Sequence, residues 1–190
     1  LRKYMPITWI TSLLGSLARI GTPFLSVFYS KDSIIEGVGA SHIPGSGFAY
    51  FAVLAGVFVT AFYSFRMYFL VFHGKERFAD DHGHDDHHAD DHGHGHGGTP
   101  HESPWVVTVP LVLLAIPSVV IGFIAIEPML FGDYFKGVIH VAEPHEAMAD
   151  LRHHFHGATA MAIHAFGTAP FWLALAGVVP ALDERGELPG

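Results

Sequence analysis

A lysine followed directly by an aspartate, Lys31-Asp32, stands inside a run that is otherwise mostly apolar, GSLARIGTPFLSVFYSKDSIIEG, residues 15–37. A charge in such a run costs free energy unless it is neutralised, paired or wetted, so an intramembrane lysine is a functional candidate. At a helical step of about 100° per residue, Lys31 shares a face with Phe24, Val27, Phe28, Ile34 and Ile35. Desolvation on that face disfavours the charged ammonium, which suits a group that takes and gives a proton. Asp32 lies about 100° further round, and adjacent residues on a helix do not face each other, so the charge partner of Lys31 must come from elsewhere. A second reading stays open on these residues alone: Lys31 and Asp32 sit at the membrane surface, with the ammonium snorkelling to the headgroups.

The element that carries the pair is interrupted. Pro23 has no N–H, so a helix running through it loses its bond to the Arg19 carbonyl, and Gly21 eases the break. Two half-helices are expected. Non-helical backbone at membrane depth survives only inside protein or beside a water-filled cavity, and broken helices recur at transporter ion sites.

The rest of the chain fits a membrane setting. Of the 190 residues half are hydrophobic and 15 % charged. The mean hydropathy is +0.35. The apolar residues fall in four blocks, 6–29, 48–72, 105–126 and 158–182, each long enough to span a bilayer. The expected fold is therefore all-α, a polytopic transmembrane bundle of about four spanning segments with the first discontinuous near Gly21-Pro23. Residues 1–79 hold two segments, 80–102 are expected to form a disordered His/Asp-rich loop, 103–182 hold two further segments joined by an external loop at 127–157, and 183–190 are a polar tail. There are no cysteines, which excludes disulfides, iron–sulfur ligation and thiolate zinc sites. The net charge of −8 comes mostly from the His/Asp loop and gives no reason to expect nucleic acid. The chain begins Leu-Arg-Lys without a signal peptide and reads as an internal fragment.

Other polar features are weaker. Residues 80–101 contain eight histidines and six aspartates, enough to chelate a transition metal loosely, but Gly and repeated His-Asp give no rigid support, so a low-complexity loop is expected and no metal site. His153, His154 and His156 lack an acid at fixed spacing. The short helix expected from Pro144 places Met148, Leu151 and Phe155 on one face, fit to lie on the membrane interface. Ala52, Gly56, Thr60 and Ser64 form an i, i+4 ridge expected to admit another helix closely. Ser103-Pro104 reads as the N-cap and first residue of the third segment, and Pro117 as a bend within it. His164 lies inside the fourth segment, Pro170 breaks it and Asp183 ends it.

Two blocks carry a family resemblance. Residues 5–36, with an MP start, a GTP break and the end FYSKDSIIE, and residues 58–77, FVTAFYSFRMYFLVFHGKER, resemble consecutive helices of the antiporter-like subunit L family of proton-pumping NADH:quinone oxidoreductase, respiratory complex I. The resemblance covers roughly residues 1–180, the C-terminal part of a protein several times longer. It implies that the first helix is discontinuous and that Lys31 and Asp32 lie on a proton path. It also implies no cofactor in this chain, other membrane subunits of complex I as partners, and NADH and quinone met only through those subunits. The chain departs from the family's small or apolar pattern at Arg19 and Val27. Cation/proton antiporter subunits of the multisubunit sodium/proton type share this fold and are the alternative, ahead of a metal transporter with a His-rich loop. Lysine and arginine asymmetry puts Arg2, Lys3, Arg66, Lys75, Arg77 and Arg185 on one side and only Lys136 and Arg152 on the other, apart from Lys31. The expected setting is a multi-pass protein of the bacterial inner membrane with its N-terminus and His-rich loop cytoplasmic.

Overall fold

A computed structural model describes residues 1–74, 100–139 and 146–187. The His/Asp-rich stretch, apart from its last residues, lies outside the described residues, as do Lys75, Arg77 and residues 140–145 of the connection. Among the described residues are seven α-helices: α1 (Pro6–Ile20), α2 (Ser26–Gly39), α3 (Ser46–His73), α4 (Trp105–Ile126), α5 (Glu146–His154), α6 (Ala158–His164) and α7 (Ala169–Glu187). One π-helical turn, Glu127–Phe131, follows α4 directly, and one 3₁₀ turn, Ala165–Gly167, follows α6. The all-α membrane bundle is as expected, and so is the interruption near Gly21-Pro23. Of the four expected segments, however, only the last three are long and apolar enough to cross, the third of these as a bent pair; the first, 6–29, is not among them.

Length and composition let α3 and α4 cross a membrane singly, and α6 with α7 do so as a pair bent by 61°. Pro110 and Pro117 lie inside α4, which continues through both. The third segment starts one residue later than Ser103 capping requires: Pro104 is the N-cap, with no side-chain cap bond. Glu102 caps a different helix instead. Its carboxylate accepts the Ile7 N–H and the Thr8 hydroxyl, both at 2.7 Å, at the N-terminus of α1, where free N–H groups and the helix dipole favour an anion. Desolvation pushes this carboxyl upward, but the bonds from Thr8, Ile7 and Ser103 favour the ionised form and hold it below the usual carboxylate range.

The main core joins α3 to α7 and to one side of α1 and α2, through Ile20, Ile35, Val57, Ala61, Phe65, Tyr68, Phe72, Ala174 and Ala181. A smaller core of Phe28, Tyr29, Ile126, Ala162 and Ala165 packs α2 against α4 and α6. The small ridge on α3 is buried only at its far end, where Ser64 is 1 % exposed. Ala52 and Gly56 are exposed, and a side chain at Gly56 would meet nothing. The close approach lies at Val57 and Ala61, where a Cβ on Gly177 of α7 would come within 2.5 Å of the Phe58 carbonyl oxygen. Here α7, not α3, supplies the glycine that lets two backbones meet. Helix α5 packs inward as well: Leu151 is buried against α2 near Gly37, and Phe155 stacks on Phe131 at 4.3 Å. The apolar residues expected to lie on the membrane interface thus include two that pack against the bundle. Finally, α7 runs to Glu187, four residues beyond Asp183, because Asp, Glu and Arg end an apolar span without ending a helix.

Candidate functional site: a lysine in a helix break

Helix α1 stops in a Schellman motif. Gly21 adopts the left-handed conformation (φ +83°) that Gly takes without steric cost, its N–H bonds the Ala18 carbonyl at 3.1 Å, and the Thr22 N–H bonds the Leu17 carbonyl at 3.1 Å. The Thr22 hydroxyl donates to Leu17 too, at 2.8 Å. Pro23 then opens a turn closed by the Leu25 N–H on the Thr22 carbonyl at 3.1 Å, with Phe24 at φ +72°. A proline followed by a positive φ is the arrangement of a type II turn, usually served by glycine at the second place.

Ending a helix leaves carbonyls without intrahelical partners. One of them, the Ile20 oxygen, accepts the Lys31 ammonium at 3.2 Å. The partner that Lys31 required from elsewhere is thus a main-chain carbonyl at the C-terminal, partially negative end of α1. The lysine stem lies directly over Gly21, where an added Cβ would come within 3.1 Å of its Cδ. Lys31 is half-buried and points into the bundle, not to the surface, and Asp32 is buried at 5 % exposure.

The face predicted around Lys31 needs correction. Phe28 and Ile35 are buried with it, but Val27 is 40 % and Ile34 61 % exposed, and Phe24 belongs to the turn. The buried residues of α2 are Phe28, Tyr29, Asp32, Ser33 and Ile35, an arc centred near Asp32 with Lys31 at its edge. Apolarity is a poor guide to the interior of a membrane bundle, since the lipid side is apolar as well. The polar residues Asp32 and Ser33 mark the inside. The two departures from the family pattern stay clear of the site: Val27 points outward, and Arg19 is exposed with its guanidinium 5.0 Å from the Tyr63 ring centroid.

Opposite the first break lies a second. After α6, Thr168 bonds back to the Ala165 carbonyl through its N–H at 3.0 Å and its hydroxyl at 2.8 Å, and α7 restarts at Ala169-Pro170. Ile20, Gly21, Lys31, Asp32, Thr168 and Pro170 line one cavity of about 20 Å³, closed on the α3 side by Val57. That is room for about one water molecule. Proline 170 signalled this break in the sequence, but its position across from Lys31 did not show. His164 lies on the exposed end of α6 and does not line the cavity. Among the described residues no three His, Asp or Glu side chains come together as metal ligands, His153, His154 and His156 included.

No model of a known protein family matches the chain. Over its whole length it is 60 % identical to the NADH-quinone oxidoreductase subunit L of Neisseria meningitidis serogroup A. The chain belongs to the subunit L family. It is also 42 % identical, over 82 % of its length, to the NAD(P)H-quinone oxidoreductase chain 5 of a Picosynechococcus species, and 39 % identical, over 70 %, to the subunit L of Rhodobacter capsulatus. It spans 28 %, 23 % and 18 % of those three relatives. All three names are of quinone oxidoreductases, so the antiporter alternative and the metal transporter gain no support from them.

Proposed function

We propose that this chain forms part of the proton-translocating membrane portion of an NADH:quinone oxidoreductase, and that Lys31 and Asp32 take and pass the proton. The observation that carries this reading is the Lys31 ammonium set in a helix break, 3.2 Å from a carbonyl the break releases, with buried Asp32 on the same cavity. The Ile20 carbonyl and the negative end of α1 favour the charged lysine, while the apolar surroundings disfavour it. A small displacement of α2 from α1 therefore changes the proton affinity of Lys31. Moving one charge against 100 mV costs about 2.3 kcal/mol, and the switch must be of that order. Asp32, without an ion-pair partner among the described residues, is the nearest acidic group on the cavity for a proton released there. The chain carries no redox centre of its own in this reading and acts with the other membrane subunits of the complex, which meet NADH and quinone.

The setting is a bacterial inner membrane, with the connection between α3 and α4 cytoplasmic by its positive flanks. A cysteine at Gly93 is expected to resist impermeant thiol reagents in intact cells; labelling there would reverse the orientation. The function itself is tested with Lys31→Ala in the full-length protein within its complex. Assembly on native gels and NADH oxidation in uncoupled vesicles should persist while proton uptake per NADH falls. Unchanged uptake would remove Lys31 from the path.

A further inference from the structure

The first residue of α2 is tied into the backbone of α4. The Ser26 hydroxyl donates to the Pro117 carbonyl at 2.6 Å and accepts the Gly122 N–H at 3.1 Å. In an α-helix the Pro117 carbonyl belongs to residue 121 and the Gly122 N–H to residue 118. A side chain from another helix has entered that ladder, Pro117 and Gly122, five positions apart, being bridged through one oxygen. The backbones meet closely enough that a Cβ on Gly122 would stand 2.4 Å from the Ser26 carbonyl oxygen and 2.5 Å from its Cα, so position 122 admits only glycine without movement. No charged group takes part.

The place of this contact matters. Residues 21–25 free α2 from α1, so the start of α2 is not held by helical continuity. Ser26 opens α2 five residues before Lys31, and its hydroxyl bonds α4 and not α1, which supplies the Ile20 carbonyl. We propose that Ser26 is a positioning residue: its hydroxyl, wedged between Pro117 and Gly122 of α4, fixes where α2 begins and thereby holds the Lys31 ammonium within reach of the Ile20 carbonyl. The pivot of α2 is then at α4, and any displacement that switches Lys31 turns about Ser26. This rests on the proton-path reading for its functional consequence, but the stitch itself does not.

The test uses the assembled complex with Ser26→Ala, Ser26→Thr and Gly122→Ala. Hydrogen exchange by mass spectrometry over residues 118–126, which hold the Gly122 N–H, and over 26–32 reads the stitch without reference to pumping. In Ser26→Ala the Gly122 amide should exchange about tenfold faster, the order expected when a part-buried N–H loses its partner, and Ser26→Thr should restore it. Gly122→Ala should quicken exchange there although the hydroxyl is present. Proton uptake per NADH should fall in Ser26→Ala and Gly122→Ala and recover in Ser26→Thr, with assembly retained. Unchanged exchange in Ser26→Ala overturns the stitch, and so does a threonine variant that exchanges as fast as alanine. Quickened exchange with normal pumping in Ser26→Ala overturns the positioning role. Normal pumping by Lys31→Ala, by contrast, would defeat the proton-path reading and leave the exchange results standing.

Discussion

The two helix breaks that meet across the central cavity are built from similar parts and end differently. Each lies near a proline two residues beyond a glycine or a threonine, Gly21 before Pro23 and Thr168 before Pro170. At the second, Thr168 returns both its N–H and its hydroxyl to the Ala165 carbonyl, so that break satisfies an acceptor it creates. At the first, Thr22 does the same for Leu17, but the Ile20 carbonyl is left over, and Lys31 from eleven residues on fills it. The lesson is that a break becomes a charge site only when its capping is incomplete. The second break shapes the cavity; the first supplies its chemistry.

Substitutions at the two glycines separate the breaks most strongly. Gly21→Val puts a β-branched residue at a positive φ and its Cβ against the Lys31 stem, so a loss of about 2 kcal/mol or more is expected. Gly167→Ala meets open space at an ordinary φ and should change stability by less than about 1 kcal/mol. Thermal denaturation of the purified full-length protein in detergent compares them; equal losses would show that the breaks are equivalent. Thr168→Ala comes next, with about 1 kcal/mol lost and serine restoring most of it, since one hydroxyl bond is at stake. If serine fails too, the methyl packing of Thr168 matters more than its bond.

How far the sequence told of this site follows from the same contrast. The G-T-P order disclosed the first break, because proline and glycine act on the backbone locally. It disclosed the lysine, because charge in an apolar run is rare. The Ile20 carbonyl was hidden, since main-chain groups look alike in any sequence and only the end of α1 frees this one. Burial was misread at Val27, Ile34 and Gly56, since lipid-facing and core-facing positions are both apolar or small. Glu102 capping α1 from 95 residues away and Ser26 entering α4 are long-range pairings that no local pattern encodes.

Smaller changes refine the account of the first break. Phe24→Gly removes a bulky residue from φ +72° and should stabilise the fold by up to about 1 kcal/mol, read as a higher midpoint of thermal unfolding, because Phe24 is partly exposed and gives up little packing. A lower midpoint would mean that the ring holds the turn in place. The least effect is expected at the far end of α1. Glu102 has its carboxyl lowered in the folded protein, so its contribution is complete above the unfolded value of about 4.3 and is lost as pH falls through the lower folded value. Glu102→Gln should therefore unfold at a slightly lower temperature than the parent at pH 7 and converge with it in acid. A gap that persists in acid after Glu102 is protonated in the folded protein would assign the effect to shape and not to charge.

The central claim is that Lys31 works by changing its protonation within the break, and Lys31→Arg addresses it most directly. A guanidinium can reach the Ile20 carbonyl and keep the positive charge, but it does not release its proton at working pH. The measurement is proton uptake per NADH oxidised in sealed membrane vesicles, with assembly checked on native gels. The account predicts an assembled complex whose uptake falls as it does in Lys31→Ala. Parental uptake by the arginine variant would contradict it, because charge alone would then be enough.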